Sequence, residues 1–172
     1  MALLEADELH RGLARAGQGG VIEGSTFYGD AGDNLIAGST LGDYLEGGGG
    51  ADTVGGGAGD DIFGDIAADG AVDSLTGGPG RDTYRFLPVF SAEGIAEDVI
   101  TDFQPGEAGD VIVLESAIPN PFANGRLSIL QDGADTLLRL DGGTGGASVL
   151  RLRGVTAAAL RGPSGRSPDG SS

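Results

Sequence analysis

The 172-residue chain contains no cysteine, no tryptophan and no lysine, and its ten basic residues are all arginine. Without cysteine, neither disulfides nor thiolate metal sites can hold the fold together. The arginines are also badly spread. From Ala16 to Gly80 there are eleven Asp and Glu residues and no basic residue, within a formal net charge of -16. With no basic patch to displace counterions, nucleic acid is excluded as a partner. No apolar run is long enough to span a membrane. The opening Met1–His10 has neither a basic segment nor an unbroken apolar core, so it does not read as a secretory leader.

Catalytic signatures are missing as well. There is no His-Glu-x-x-His pair, no Gly-x-Ser-x-Gly elbow and no Lys-Ser/Thr ending to a glycine loop. His10, the single histidine, falls in a short amphipathic pattern formed by Leu3, Leu4, Leu9 and Leu13, where it reads as a solvated helix residue. The sequence therefore predicts no enzyme.

What the chain has in abundance is glycine, 35 residues of it, much of it on a fixed period. Five nine-residue units begin at Gly29, Gly38, Gly47, Gly56 and Gly77. Their sixth places hold Asn34, Asp43, Asp52, Asp61 and Asp82, and their eighth places Ile36, Leu45, Val54, Phe63 and Tyr84. Gly20–Tyr28 fits the same frame as a degenerate opening unit, with Ser25 at place six and Phe27 at place eight. Between Asp65 and Thr76 the frame slips: Asp73 and Leu75 fall in the key places, and Asp65, Ile66 and Ala67 are surplus. That segment reads as a bulged loop that regains register at Gly77.

Each place has a physical task. Alternate side chains of a strand face opposite sides, so place eight points inward while seven and nine face out. Strands are then about three residues long, and the first six residues of each unit form a turn, where glycine supplies positive φ and close backbone approach. Two units make one coil, so alternate turns stack on opposite sides. Inward carbonyls need partners, and stacked carboxylates one strand spacing apart, about 5 Å, repel each other. Calcium answers both needs, because it accepts six to eight hard oxygens in forgiving geometry. A disordered Gly/Asp linker does not explain the regular apolar place, and a metal-free solenoid does not explain the uncompensated acids.

After Phe86 the glycine period ends. Strand patterns occur at 97–103, 110–114, 126–130, 136–140 and 148–152, with turn signals at Asp132-Gly133 and Asp141-Gly-Gly143. They predict an antiparallel sheet that closes one end of the stack. Asp98, Asp102 and Asp110 are either ligands in that cap or strand-edge charges, the latter favoured. The segment from Arg161 to Ser172 reads as a disordered tail.

Gly47–Gly64 and Gly77–Arg85 resemble the RTX, or haemolysin-type, calcium-binding repeat. Glu97–Leu114 resembles the segment that follows such repeats in type I secreted bacterial proteins. The resemblance, over roughly residues 20 to 160, implies an all-β right-handed parallel β-roll with a C-terminal antiparallel β cap, to which the amphipathic pattern of the first residues adds a short N-terminal helix. Its parts are a helix over 1–18, the roll over 19–86, cap and secretion-type region over 87–160, and a tail over 161–172.

The resemblance also implies the ligand sets. One is Asp30 and Gly32 carbonyls with Asn34, facing Gly47 and Gly49 carbonyls with Asp52. A second is Ser39, Leu41 and Asp43 with Gly56, Ala58 and Asp61. The best match is Gly57, Gly59 and Asp61 with Gly77, Pro79 and Asp82. A fourth, Gly48, Gly50 and Asp52 with Asp73, uses the irregular unit. Asn34 departs from the motif and predicts a weaker first site; Leu41 replaces a glycine and strains its turn. About three to five calcium ions follow, with folding on exposure to extracellular calcium and a type I secretion apparatus as partner. The tail departs from the apolar end usual in such proteins. The alternative role is the C-terminal part of a secreted hydrolase, metalloprotease or epimerase. The oligomeric state is left open.

Overall fold

A computed structural model describes residues 24–67, 70–87, 96–114, 122, 125–140 and 147–161. The expected N-terminal helix, His10 and the tail beyond Arg161 lie outside the described residues. Among those described, no helix is long and apolar enough to cross a membrane.

Places seven to nine of successive units form strands β1 (Thr26–Tyr28), β2 (Leu35–Ala37), β3 (Tyr44–Glu46) and β4 (Thr53–Gly55). They continue as β5 (Ile62–Ala67), β6 (Ser74–Thr76) and β7 (Thr83–Leu87). Beyond the glycine repeats lie β8 (Asp98–Ile100), β9 (Val111–Leu114), β10 (Leu127–Asp132), β11 (Asp135–Leu140) and β12 (Ala147–Leu152). A 3₁₀ turn, Ala159–Arg161, follows.

Odd strands form one sheet, β1-β3-β5-β7-β9, parallel throughout. Even strands begin the other, in which β2, β4, β6 and β8 are parallel neighbours. The chain thus alternates between two sheets and makes a parallel β-roll. Place-eight residues are in register across each sheet: Phe27, Leu45, Phe63, Tyr84 and Ile112 in one, Ile36, Val54, Leu75 and Ile100 in the other. Ile36, Leu45, Val54, Phe63, Leu75 and Tyr84 are all at most 4% exposed, so the predicted inner row is the core of the roll. Phe63 and Tyr84 stack at 4.7 Å between ring centroids, and Phe103 leans on Tyr84 at 6.1 Å.

Two expectations change. The surplus residues Asp65–Ala67 do not loop out. They lengthen β5, which pairs with β7 again at Ile66↔Phe86 after a register shift. The antiparallel cap is also smaller than predicted. Strands β8 and β9 extend the parallel sheets of the roll, and among the described residues only the β10–β11 and β11–β12 pairs are antiparallel. The cap joins the even sheet because β12 lies parallel to β8, with Leu152 opposite Ile100. The physical reason is that Asp98-Val-Ile100 and Asp110-Val-Ile112 repeat places six to eight without the glycines.

Candidate metal centre

The turns between strands stack in two columns. Those at 29–34, 47–52 and the segment ending at Asp73 lead into the even strands. Those at 38–43, 56–61 and 77–82 lead into the odd strands. Glycine allows the close approach. Gly57 has φ of 109°, and a Cβ placed on it would lie 1.9 Å from the Ser39 carbonyl oxygen. Gly78, at φ of 99°, would meet the Gly57 carbonyl at the same distance. L-residues seldom adopt this conformation, and here no space exists for a side chain either.

Place six builds a ladder of side-chain-to-backbone hydrogen bonds. One carboxylate oxygen, Oδ1, accepts the backbone N–H of the place-six residue one coil earlier. In the odd column Asp43 accepts from Ser25 at 2.6 Å, Asp61 from Asp43 at 2.8 Å, Asp82 from Asp61 at 3.0 Å and Asp110 from Asp82 at 3.0 Å. In the even column Asp52 accepts from Asn34, Asp73 from Asp52 and Asp98 from Asp73, at 2.8, 2.8 and 2.9 Å. The sequence separation rises from 18 to 21 to 25 or 28 along the columns, yet the contact persists.

The predicted ligand sets are brought together as follows. Asp30 and Gly49 meet through a Gly49 N–H to Asp30 carbonyl bond of 2.9 Å, and Gly50 packs on the Gly32 backbone. Gly47 lies against the Asp52 carboxylate, and its own carbonyl lies under Gly29. In the second set Ala58 N–H donates to the Ser39 carbonyl at 3.0 Å, Gly59 packs on Leu41, and the Gly56 carbonyl lies under Gly38. In the third, Gly57 N–H donates to Gly77 and Gly59 N–H to Pro79, at 3.2 and 2.9 Å. Each of these carbonyls keeps a second lone pair. The fourth set holds together at its place-six step, Asp52 N–H to Asp73, while Gly48 packs on the Asp30 carbonyl of the first set.

The second oxygens of the inner rungs decide the chemistry. Asp61 and Asp82 are 0% exposed, and their Oδ2 atoms are buried without a hydrogen-bond partner. A Cβ on Gly56 would sit 2.2 Å from Asp61 Oδ2, and one on Gly77 2.0 Å from Asp82 Oδ2. Burial pushes the Asp61 carboxyl above its ordinary range, with the Asp43 and Asp60 charges adding to the effect. Burial likewise moves Asp82 up to about 6, reinforced by Asp110, Asp61 and Asp102. A buried carboxylate in this state is costly unless a cation compensates it. Among the described residues no three His, Cys, Asp or Glu side chains converge as a metal cluster. A cation held here would have to draw most of its oxygens from backbone carbonyls, a hard-oxygen set that would suit calcium better than a transition metal.

Asp98, Asp102 and Asp110 are not strand-edge charges. Asp98 and Asp110 are 2% and 6% exposed and form the last rungs of the two columns. Asp102 accepts the N–H groups of Gly77 and Gly78, both at 2.9 Å. Asp110 has donors on both oxygens, from Asp82 and from Gln104 N–H at 2.8 Å. The sequence signal for Asp98 and Asp110 was the Asp-x-apolar triplet standing without its glycines. Asp102 had no such signal.

No protein-family model and no curated protein sequence matches the chain. Solved structures do. The AlgE6R2 subunit of the mannuronan C5-epimerase of Azotobacter vinelandii is 33% identical, with a TM-score of 0.57, over 78% of this chain and 87% of that one. The AlgE6R3 subunit of the same enzyme is 34% identical, with a TM-score of 0.54, over 75% of each chain. The chain belongs to the family of these subunits, and its glycine–aspartate nonapeptides are RTX-type repeats wound into a parallel β-roll.

Proposed function

We propose that this chain is a secreted, non-catalytic module that binds calcium between the stacked turns of its roll and folds when it does so. The observation that carries this reading is the buried, unpartnered Oδ2 of Asp61 and of Asp82; the run from Ala16 to Gly80, which includes Asp61, holds no basic residue. Calcium bound there would supply the missing positive charge and draw on backbone carbonyls and carboxylates together. The strongest set is Gly57, Gly59 and Asp61 with Gly77, Pro79 and Asp82, because both orphaned oxygens belong to it. Without compensation, the stacked carboxylates hold the coil open, so binding free energy becomes folding free energy. Extracellular modules of this kind have dissociation constants of about 10⁻⁴ to 10⁻³ M. The reading includes three to five ions in total and export through a type I secretion apparatus, the latter supported by the resemblance of 97–114 to secreted RTX proteins.

The test is a calcium titration of chelator-stripped protein followed by far-UV circular dichroism, with magnesium as the control. The expected result is a cooperative gain of β signal at submillimolar to millimolar calcium and none with magnesium, which demands stricter octahedral geometry and gives up its water reluctantly. A chain already β-rich in chelator and indifferent to calcium overturns the reading.

A second reading is favoured by the structural relatives, which are subunits of an epimerase. In it, this module is the non-catalytic part of a secreted enzyme whose catalytic domain lies elsewhere. An in-frame catalytic domain in the neighbouring coding sequence supports that version. A free-standing gene product supports an independent structural or adhesive module.

A further inference from the structure

The turn that opens the even column is built differently from those behind it. In turns 47–52, 56–61 and 77–82 the glycines at places two and four all have positive φ: Gly48 and Gly50, Gly57 and Gly59, Gly78 and Gly80. In turn 29–34 the second place is Asp30, and Gly32 at the fourth has no positive φ. Side chains close this turn instead. Asp30 Oδ1 accepts the Gly32 N–H at 2.9 Å and an Asn34 Nδ2 hydrogen at 3.1 Å. The same Nδ2 also donates to the Gly32 carbonyl. Asn34 is 6% exposed.

A buried amide donor therefore stands among the oxygens that the RTX resemblance assigns as ligands of a first ion. Rotating the amide would face Oδ1 against the Gly32 carbonyl and the Asp30 carboxylate, three acceptors with no donor between them. The inner rungs show the opposite arrangement, in which Asp61 and Asp82 each present an oxygen with no donor. Asn34 still joins the ladder through its backbone N–H to Asp52, but it adds no charge that an ion must balance.

We infer that the Asn34 amide takes the place of the first calcium ion, so that turn 29–34 is an ion-free end to its column. Its two N–H hydrogens satisfy Gly32 and Asp30 as a cation would, in a turn that needs no positive-φ glycine. This inference rests on the calcium reading above and narrows it: loading begins with the turns behind Asn34.

Native mass spectrometry at saturating calcium tests it by counting ions on the wild-type chain, Asn34→Asp and Asn34→Ala. The expected result is equal counts for wild type and Asn34→Ala, and one additional ion on Asn34→Asp, whose side chain supplies oxygen where the amide supplied a donor. Loss of one ion in Asn34→Ala shows Asn34 to be a ligand and overturns the inference, as does an unchanged count in a folded Asn34→Asp. If Asn34→Asp does not fold, the Asn34→Ala count decides alone. A wild-type chain that carries no calcium overturns the calcium reading itself, and this inference with it.

Discussion

The roll and its cap solve the same problem, holding charged strands together, by opposite means. In the roll, the place-six carboxylates from Asp43 to Asp82 are buried at 0 to 8% exposure, and each accepts a backbone N–H from one coil away. The sequence holds no arginine from Ala16 to Gly80. In the cap, Arg151 on β12 pairs with Glu97 at 2.6 Å and with Asp132 and Asp135 at 3.0 Å, all partly exposed. The cap also has ordinary apolar packing through Leu127, Leu138, Val149 and Leu150, and a buried Thr136 hydroxyl bonded to the Val155 carbonyl at 2.7 Å. The cap pairs its acids with Arg151, whereas the place-six acids from Asp43 to Asp73 lie in a stretch with no basic residue. The proposed dependence on an external cation rests on where the arginines are, more than on how many acids there are.

This contrast can be broken most sharply at Asp61, which belongs to two of the predicted ligand sets. In Asp61→Ala the calcium needed for half-folding should rise on the order of a hundredfold, about 3 kcal/mol, as read by circular dichroism. In chelator the sign should reverse, because the variant no longer buries an uncompensated carboxylate. Destabilisation in both conditions would show that the side chain is structural and not a cation ligand.

Acid should act on the roll in the same sense as calcium. The folded Asp82 carboxyl titrates at about 6 against an ordinary 3.8. A raised carboxyl pKa means that the folded state holds its proton more tightly. The ionisation penalty is therefore absent below the unfolded value and is incurred as pH rises through about 6. Metal-free protein should gain up to about 3 kcal/mol between pH 7 and 4, visible as a higher urea midpoint in chelator. A flat profile would mean that Asp82 is not the strained group.

Gly57→Ala should cost about 2 kcal/mol from its φ of 109°, and more from the Ser39 carbonyl that lies 1.9 Å from the new Cβ. Thermal unfolding at saturating calcium measures it, with Gly55→Ala as the comparison, since nothing lies within 4 Å of a Cβ there. The smallest effect belongs to the cap. Its ion pairs are partly solvated, so Arg151→Met should lose about 1 kcal/mol in denaturant titration and leave the calcium midpoint unmoved. A shifted midpoint would show that cap and roll are energetically one unit.

Most of the roll was legible because its information is local. The inward row from Ile36 to Tyr84 and the place-six carboxylates follow from a strand period of two inside a unit of nine, and the structure places the inner row at the core. The strand boundaries after Phe86 were also readable from alternation. The role of β8 and β9 was not, because the glycine turns that mark a coil are absent there, and the pattern alone fits an antiparallel hairpin equally well. Asp65–Ala67 counted correctly as three extra residues, since the coil lengthens from 18 to 21. Whether three extra residues loop out or lengthen a strand depends on a neighbour, here β7, that lies far along the chain.

The sequence by itself determined the period, the inward row, the all-β class and the excess of unpaired negative charge. Each is a property of residues a few positions apart or of composition. Only the tertiary structure decided that Asp98 and Asp110 end the columns, that Asp102 holds the N–H groups of Gly77 and Gly78, and that the Asn34 amide lies between Asp30 and Gly32. The first two join residues 24 to 28 apart with no fixed spacing to announce them. The third depends on which way a buried amide turns, which is settled by the acceptors around it and not by its place in the repeat.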